Sequence, residues 1–320
     1  MDTIILGRTG LRVTVAGLGC GGFSRIGITK GEAHAAGIAR AAYDAGVTFF
    51  DTATAYGTET ALGQGLSGIK RDSYVLSTKF PYRGRDGVLG ADDLRNTLEN
   101  SLRALQTDYI DVYHIHAVTA ADYPYVRDTL LPEMQRAQQL GKIRFLGVTE
   151  QFAVDTAHEM LQIALPENLF DVVMTGYNIL NPSAARRVLP TAIANNVAVL
   201  CMFAVRRALH DPEQLKTDLA RIIERGQCAD ALNQALQAVP DGDRSRVLDF
   251  LLSPEAAASL TEAAYRFARH TPGITVTLTG TGNREHLLQN LASLSLPPLP
   301  SDALEQLNAL FGSVDCVSGQ

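Results

Sequence analysis

The sequence offers little that would direct the protein to a membrane, a secretory route or a polyanionic partner. No apolar run approaches the roughly 20 residues of a bilayer-spanning helix, and the start of the chain lacks a cationic segment followed by an apolar one. The 28 lysine and arginine residues are outnumbered by 34 aspartate and glutamate residues, which leaves a formal charge of -6. Nucleic-acid binders need a clustered basic surface, so we expect neither a membrane nor a nucleic acid as a partner.

Cysteine is also scarce, and its four occurrences are far apart. Cys20, Cys201, Cys228 and Cys316 have neither the paired spacing of a disulfide framework nor the clustered spacing of a metal site. We therefore expect reduced thiols, no metal and a cytoplasmic location. The remaining composition, 46% hydrophobic and 19% charged, is that of an ordinary globular protein.

What the sequence does contain is a regular alternation of strand-like and helix-like segments. The predicted strands are residues 15–18, 48–50, 75–78, 110–115, 144–148, 171–175, 198–202 and 274–278. The predicted helices are residues 32–45, 59–66, 91–105, 125–140, 154–164, 184–195, 260–270, 285–292 and 302–310. Such alternation implies parallel strands joined by helical crossovers. Repeated over this length, it predicts an α/β fold of the closed (β/α)8 TIM-barrel type.

Two segments depart from the alternation. Residues 3–13 predict an N-terminal β-hairpin that turns at residues 7–10. Residues 206–258, after the seventh predicted strand, predict a helical insertion with helices at 215–224 and 230–238. Because no linker interrupts the pattern, we expect residues 1–320 to form a single barrel domain with this insertion over its mouth.

Polar side chains follow three consecutive predicted strands. Asp51 ends one strand and Tyr56 follows it, while Lys79 and His116 end the next two. Taken singly, each could be a cap or a satisfied core group, but the carboxyl ends of barrel strands gather at one face. We therefore expect these side chains to form one cluster.

The chemistry of these four residues is coherent. A tyrosine, with a pKa of ~10, can give a proton, and an ammonium ~4 Å away could contribute up to ~4 kcal/mol toward its phenolate. Asp51 would keep Lys79 charged, and His116 would orient a substrate oxygen beside Tyr56. The cluster predicts acid–base chemistry on a carbonyl or an alcohol, and the hydride must come from a cofactor.

The glycine-rich stretch at residues 17–22 matches the G-x-G-x-x-G dinucleotide fingerprint only formally. No helix opens at Gly22, and the next strand-end carboxylate, Asp51, comes too late in the chain. We interpret these glycines as a tight loop at the barrel mouth that lets a ligand approach the backbone.

Several segments together resemble the aldo-keto reductase superfamily over nearly the whole chain. They read GVTFFDTATAYG (46–57), STK (77–79), LENSLRAL (98–105), DYIDVYHIH (108–116) and GKIRFLGV (141–148). The resemblance implies a (β/α)8 barrel that reduces aldehydes and ketones with a nicotinamide cofactor. It also implies Tyr56 as the general acid/base, Lys79 and Asp51 as its tuning pair and His116 as the substrate orienter.

The resemblance further implies a cofactor site, with departures from the family pattern. Thr149-Glu150 replaces the usual Ser-Asn, Met174 replaces a glutamine, and Phe203 or its neighbour Met202 replaces a stacking tyrosine. Arg206 could meet the pyrophosphate, with a surface salt bridge as the alternative. The full set of expected cofactor-binding residues is Gly22, Asp51, Thr149, Glu150, Met174, Phe203, Arg206, Gly280, Gly282, Arg284, His286, Gln289 and Asn290.

The segment GTGNREHLLQN (280–290) resembles the adenosine end of the family site, suited to a phosphate. Asn290 matches a family asparagine, and Arg284 or His286 could recognise a 2′-phosphate. No arginine matches the family position firmly, so these residues leave the choice between NADP(H) and NAD(H) open, and the resemblance favours NADP(H). Phe23, Phe80 and Tyr82 are the expected substrate contacts, on loops after the first and third barrel strands.

Three functions follow from these observations. The first is an NAD(P)-dependent oxidoreductase acting on a small-molecule carbonyl or sugar. The second is an aldose 1-dehydrogenase working in the oxidative direction, and the third is a cofactor-binding regulatory subunit with little turnover. The sequence leaves the substrate, the direction of reaction and the oligomeric state open.

Overall fold

The computed structural model describes residues 1–85, 87–239 and 242–320. Its strands are β1 (Thr3–Ile5), β2 (Arg12–Thr14), β3 (Ala16–Gly19), β4 (Phe49–Asp51), β5 (Val75–Pro81), β6 (Arg83–Gly84), β7 (Gly87–Val88), β8 (Ile110–Val118), β9 (Ile143–Glu150), β10 (Val172–Gly176), β11 (Ala198–Met202) and β12 (Val276–Thr279). Within the described ranges, β3, β4, β5, β8, β9, β10, β11 and β12 form a closed parallel barrel. The predicted (β/α)8 barrel is confirmed, and β1 and β2 pair as the predicted hairpin.

The helices alternate with the barrel strands. They are α1 (Glu32–Asp44), α2 (Glu59–Leu66), α3 (Ala91–Leu105), α4 (Tyr123–Tyr125), α5 (Leu131–Gln139), α6 (Glu159–Glu167), α7 (Ala184–Arg187), α8 (Leu189–Ala194), α9 (Pro212–Glu224), α10 (Ala229–Ala238), α11 (Leu260–Arg269), α12 (Arg284–Ser293) and α13 (Ser301–Phe311). A π-helical turn, Val126–Leu130, joins α4 to α5. Most helices begin and end within a few residues of the predicted bounds.

Two predicted helices differ from the structure. The helix predicted at 154–164 begins only at Glu159, because His158 has a left-handed backbone with φ 61°. The side chain of Asp155 instead accepts hydrogen bonds from the amides of Glu159 and Met160, at 2.8 and 2.9 Å, and so caps the shortened helix. The helix predicted at 184–195 is divided in two before Pro190, which has no amide hydrogen to donate.

The interior of the barrel is apolar at one end and polar at the other. The apolar cluster unites side chains from the hairpin and the strands: Leu6, Val13, Phe49, Val75, Val112, Val172, Met174, Ala198, Leu200 and Val276. Each such buried side chain contributes about 1.5–3 kcal/mol. Alternate residues of a strand share a face, so Ser77 and Lys79 continue the inward face of Val75. The polar residues therefore lie at the carboxyl ends of the strands.

The insertion packs on the C-terminal part of the chain. Its helices α9 and α10 and the 3-10 helix Arg244–Leu251 share an apolar cluster with α13 and the tail. Ile179 and Leu180, which follow β10, belong to the same cluster. The predicted insertion helices are confirmed with earlier starts, and Pro240 and Asp241 lie outside the described residues. That the insertion covers the mouth stays a prediction. Across the described ranges, no helix combines the length and the apolarity needed to cross a membrane.

Candidate active site

Asp51 and Lys79 form a buried ion pair at the carboxyl ends of the adjacent strands β4 and β5. The Nζ atom of Lys79 lies 2.6 Å from Oδ2 of Asp51 and donates a second hydrogen bond to the carbonyl of Thr52 at 2.7 Å. The hydroxyl of Ser77 donates to the other carboxylate oxygen at 2.8 Å. Removing two charges from water is costly, and these hydrogen bonds offset that cost.

Burial and charge act in opposite directions on this pair. Burial lowers the pKa of Lys79, but the carboxylate of Asp51 and the hydroxyl of Tyr56 together outweigh it, so the pKa of Lys79 is raised overall. Burial also raises the pKa of Asp51, against the pull of Lys79. The ammonium therefore stays protonated at neutral pH.

Tyr56 and His116 complete the cluster. Tyr56 ends the 3-10 turn Thr54–Tyr56 that follows β4, and its hydroxyl lies 3.4 Å from Nε2 of His116 on β8. The two rings are perpendicular, with centroids 5.4 Å apart, and Nζ of Lys79 lies 4.9 Å from the centroid of the tyrosine ring. The structure thus brings together the four side chains that the sequence singled out.

The electrostatics of Tyr56 combine the expected influence of Lys79 with a larger one from burial. Lys79 lowers the pKa of the phenol as expected, but burial, the largest influence, and Asp51 raise it, so the net pKa is raised. The expected contribution of Lys79 toward the phenolate is therefore present, and burial outweighs it in the protein by itself. Because the hydroxyl keeps its proton near neutral pH, Tyr56 is suited to donate it.

His116 is held neutral. Burial, followed by the charge of Lys79, lowers its pKa to about 3. A neutral imidazole carries one N–H donor and one acceptor nitrogen. His116 can therefore offer a hydrogen bond to a substrate oxygen beside the Tyr56 hydroxyl without adding a second cation to the site.

The glycine loop after β3 supports Tyr56 directly. A Cβ atom at Gly21 would lie 2.6 Å from the ring of Tyr56, closer than packing allows. The sequence predicted that a ligand approaches the backbone of this loop, but at Gly21 the group that approaches is the ring of Tyr56. Gly22, with φ 70°, has open space where a Cβ atom would lie. The sequence carried no signal for the contact between Gly21 and Tyr56.

Glu150 belongs to a buried network that the sequence analysis missed. Its two carboxylate oxygens lie 2.9 and 3.0 Å from Nδ1 of His158, and one of them also accepts from the hydroxyl of Thr175 and the amide of Gly176. The contact with a nicotinamide amide stays a prediction, and it would have to use the carboxylate oxygen that accepts only from His158. Thr149, beside it, accepts a hydrogen bond from the amide of Ala117 at 2.7 Å.

The network continues toward the C-terminal tail. Nε2 of His158 lies 2.9 Å from Oγ of Ser183, whose hydrogen goes to Oδ1 of Asn181 at 2.5 Å. The amide of Asn181 in turn donates to the carbonyls of Thr156 and Val317. Although Glu150, His158 and Ser183 resemble a hydrolytic triad in order, Ser183 is fully buried and has no access to a substrate.

Arg206 is a buried cation with an aromatic neighbour. Its guanidinium lies 4.0 Å from the ring centroid of Phe203, and its Nε donates to the carbonyl of Ser318 at 2.9 Å. Burial lowers its pKa to about 10, and the described residues place no carboxylate in an ion pair with it. Arg207 instead forms the surface salt bridge considered as the alternative, 2.7 Å from Asp211. Of the two arginines, Arg206 is therefore the one that can receive an anion.

The other residues expected at the nicotinamide end lie in two places. Met174 belongs to the apolar interior of the barrel. Phe203 has a left-handed backbone, with φ 67°, and stacks on Phe152 with centroids 6.2 Å apart. Phe152, which the sequence analysis did not identify, lies flat on the backbone of Gly176, where a Cβ atom would be 2.3 Å from its ring.

The residues expected at the adenosine end lie on and before α12. Gly280 and Gly282 pack against the backbones of Gly19 and Gly27, so close packing alone accounts for these two glycines. Asn290 donates to the hydroxyl of Thr279 at 3.0 Å. Arg284, His286 and Gln289 are exposed on the first turns of the helix, and the side chain of Asn283 caps its N-terminus. A helix N-terminus with an exposed guanidinium suits a phosphate.

The three expected substrate contacts have different surroundings. Phe23 is 87% exposed beside the mouth. Phe80 is fully buried in the apolar layer between the barrel and its helices, since it follows the inward-facing Lys79 on the same strand. Tyr82 is also buried and donates to the carboxylate of Asp122 at 2.8 Å. The prediction for Phe80 is therefore wrong, and Tyr82 is tied to a protein partner.

Comparisons with known proteins bear on the family and on the fold. The sequence model described as the aldo/keto reductase family matches residues 17–311. Among curated proteins, L-galactose dehydrogenase of Arabidopsis thaliana is 30% identical over 203 residues, which make up 61% of this chain and 62% of that protein. The chain therefore spans less than two thirds of the length of this relative.

Solved structures share the fold. Aldo-keto reductase AKR11C1 from Bacillus halodurans superposes on the chain with a TM-score of 0.73 in its holo form and 0.68 in its apo form. The identity is 21% in both, over 98% of this chain and 97% of that one. At this identity the likeness speaks for the architecture alone.

Proposed function

This chain belongs to the aldo/keto reductase family, and from that premise we propose that it is an NAD(P)-dependent oxidoreductase acting on a carbonyl or alcohol carbon. The observation that carries the proposal is the protonated hydroxyl of Tyr56, 3.4 Å from a neutral His116 and beside the buried pair of Lys79 and Asp51. This arrangement suits proton transfer to an oxygen atom.

The residues divide the reaction between them. A bound nicotinamide cofactor supplies or accepts the hydride. In the reductive direction, Tyr56 gives its proton to the substrate oxygen as the carbonyl becomes an alcohol, so that one hydride and one proton are added. Lys79 stabilises the phenolate left behind, and His116 donates a hydrogen bond that fixes the oxygen. In the oxidative direction the phenolate takes the proton back.

The donor set fits the charge and hydrogen-bonding needs of such a cofactor. Arg206 offers a buried guanidinium without an ion pair among the described residues, which suits a pyrophosphate. Thr149 offers a hydroxyl at the end of β9 for the nicotinamide amide. Arg284 and His286 are exposed at the start of α12 and would favour the 2′-phosphate of NADP(H) over NAD(H).

Fluorescence titration with NADPH and NADH tests this assignment. Arg206→Met should weaken the binding of both cofactors roughly tenfold or more, because a charged hydrogen-bonding partner is lost. Arg207→Met is the matched control, since that exposed side chain pairs with Asp211, and it should bind as the wild type does. Arg284→Ala should weaken NADPH binding alone. Failure of the wild type to bind either cofactor would overturn the proposal.

A sugar 1-dehydrogenase is the second candidate, and one comparison favours it. The 30% identical relative is an L-galactose dehydrogenase, so an aldose oxidised at its anomeric carbon is a specific alternative to a simple aldehyde. Assays of a panel of aldoses with NAD and NADP, beside assays of small aldehydes with NADH and NADPH, decide between sugar oxidation and aldehyde reduction. Oxidation of an aldose with no reduction of small aldehydes would favour the dehydrogenase.

A further inference from the structure

His114 lies inside the barrel, directly beneath the proposed catalytic cluster. On β8 it is the register partner of Lys79 on β5 and of Gly147 on β9. Alternate residues of a strand share a face, so it lies between Val112 of the apolar interior and His116 of the mouth. The reaction described above makes no use of it.

The described part of the chain gives the ring of His114 only a weak contact with the backbone of Val148. Both of its nitrogens are fully buried without a hydrogen bond of normal geometry. Buried polar groups in proteins are nearly always satisfied, and those without a protein partner are commonly bonded to an internal water. An unpartnered imidazole therefore marks a place where a small polar ligand would bind.

The backbone of β9 is shaped around this ring. A Cβ atom at Gly147 would lie 2.2 Å from Nδ1 of His114 and 2.5 Å from its Cε1 atom. Any other residue at position 147 would displace the imidazole. The sequence thus keeps space for this side chain although its hydrogen-bonding capacity is unused within the protein.

The charges around His114 keep it neutral. Burial, then Lys79 on β5 and His116 on its own strand, lower its pKa well below the ordinary value, while a weak hydrogen bond with the backbone of Val148 acts in the opposite direction. A neutral imidazole has one donor and one acceptor. At least one of its nitrogens can therefore bind a water molecule.

We propose that His114 is a positioning residue whose neutral ring holds a buried water molecule beneath the site and thereby fixes the direction of the Lys79 ammonium toward Tyr56. The water places a polar group directly below the site, next to the apolar interior of the barrel. Its effect on turnover rests on the proposed function, but the water and the titration of Tyr56 do not.

The titration of Tyr56 by NMR, with carbon-13 at the tyrosine Cζ, tests the proposal without any substrate. Tyr56→Phe assigns the resonance. In His114→Leu the water is lost, and the pKa of Tyr56 should rise by ~0.5–1 pH unit, because the phenolate becomes harder to solvate. His114→Gln, which keeps a donor and an acceptor, should restore most of the shift. With an active substrate, His114→Leu should lower kcat roughly tenfold and leave the cofactor Kd unchanged.

Tyr113→Phe is the matched control. The Tyr113 hydroxyl is also buried without a hydrogen-bonded partner in the described residues, but its side chain packs outside the barrel with the helical layer. Its removal should leave the titration of Tyr56 unchanged.

The proposal is overturned if Tyr56 titrates in His114→Leu as it does in the wild type and the only change is a higher unfolding midpoint. Such a change would show that the substitution merely removes a buried polar group without a partner. If the leucine variant does not fold, the wild type decides. A magnetisation-transfer cross-peak between the His114 ring and a long-lived water supports the proposal, and its absence overturns it. A protein that binds no cofactor still gives both NMR results, so the two proposals fail separately.

Discussion

At the scale of single residues, the site is a balance between burial and charge. Burial raises the pKa of Tyr56, and Lys79 opposes that effect without overcoming it. The same buried ammonium helps to keep His116 neutral. One cation thus serves two residues: it moderates the cost of forming a phenolate, and it prevents a second positive charge beside the substrate.

Breaking the pair of Asp51 and Lys79 should destabilise the fold strongly. Asp51→Asn or Lys79→Met leaves one charge buried alone, which costs about 3–5 kcal/mol, whereas the double variant should cost much less than the sum of the two. Urea unfolding of the three variants measures this. Asp72→Asn, in the exposed pair of Lys70 and Asp72, should change nothing measurable. Additive losses in the double variant would contradict a coupled pair.

The neutral His116 should make the protein sensitive to acid. Its pKa of about 3 in the folded protein lies below the value of ~6.5 in an unfolded chain, so the unfolded chain binds more protons in that interval. Stability is therefore lost as the pH falls below ~6.5, by at most about 1.4 kcal/mol per pH unit for this ring.

Urea unfolding of the wild type and of His116→Gln at pH 7, 6 and 5 checks this slope. The variant should lose less stability than the wild type over that range, because glutamine does not titrate. Parallel curves for the two proteins would mean that His116 is already protonated in the folded state.

At the scale of elements, the sequence predicted which strands carry the site residues, but it ended two of those strands too early, since β5 continues to Pro81 and β8 to Val118. The positions of Asp51, Lys79 and His116 followed from apolar runs that stop at a polar residue. Phe80 could have been excluded by the same reasoning, since the alternation of β5 that turns Lys79 inward turns its neighbour outward. The contacts of Glu150 with His158 could not be predicted, because they depend on the left-handed backbone of His158 just before α6, which no residue type in the sequence announces.

The loop after β3 should position Tyr56 through Gly21. In Gly21→Ala the added Cβ atom would lie 2.6 Å from the tyrosine ring, so the ring must move, and a displacement near 1 Å can lower activity roughly a hundredfold. Gly22→Ala is the matched control: its φ of 70° adds backbone strain, but nothing lies within contact of the new atom. Activity and unfolding midpoints of both variants give the test.

The two variants should separate activity from stability. We expect Gly21→Ala to lose activity out of proportion to its stability, and Gly22→Ala to lose stability while keeping activity. Equal activities for the two would show that the contact between Gly21 and Tyr56 has no role in positioning the ring.

At the scale of the whole molecule, the C-terminal tail connects the insertion to the barrel. The carbonyl of Val317 accepts from Asn181, that of Ser318 from Arg206, and that of Gly319 from the amide of Ala208. The helices of the insertion were visible in the sequence as a departure from the repeat. The role of the tail could not be seen in the sequence, because the tail acts through backbone carbonyls, which every residue has.

Removing residues 316–320 should therefore weaken cofactor binding through Arg206. The guanidinium loses its bond to the carbonyl of Ser318, and we expect the cofactor Kd to rise roughly tenfold. Arg206→Met in the shortened chain should add little further loss, because the two changes act on the same group. Fluorescence titration of the single and combined variants measures this coupling. If the truncation and Arg206→Met each raise the cofactor Kd independently, so that their effects multiply in the combined variant, the tail does not act through Arg206.

The central claim, hydride transfer coupled to a proton from Tyr56, is tested most directly by comparing the wild type with Tyr56→Phe. Nicotinamide absorbance is followed with small aldehydes and NADPH, and with aldoses and NADP or NAD, while fluorescence gives the Kd of each cofactor. We predict that the variant binds cofactor as the wild type does and turns over ~10²–10⁴-fold more slowly. Tyr43→Phe, whose hydroxyl lies 3.1 Å from Ser73, should keep full activity. Turnover that survives in Tyr56→Phe, or a wild type that binds cofactor without any turnover, would contradict the account.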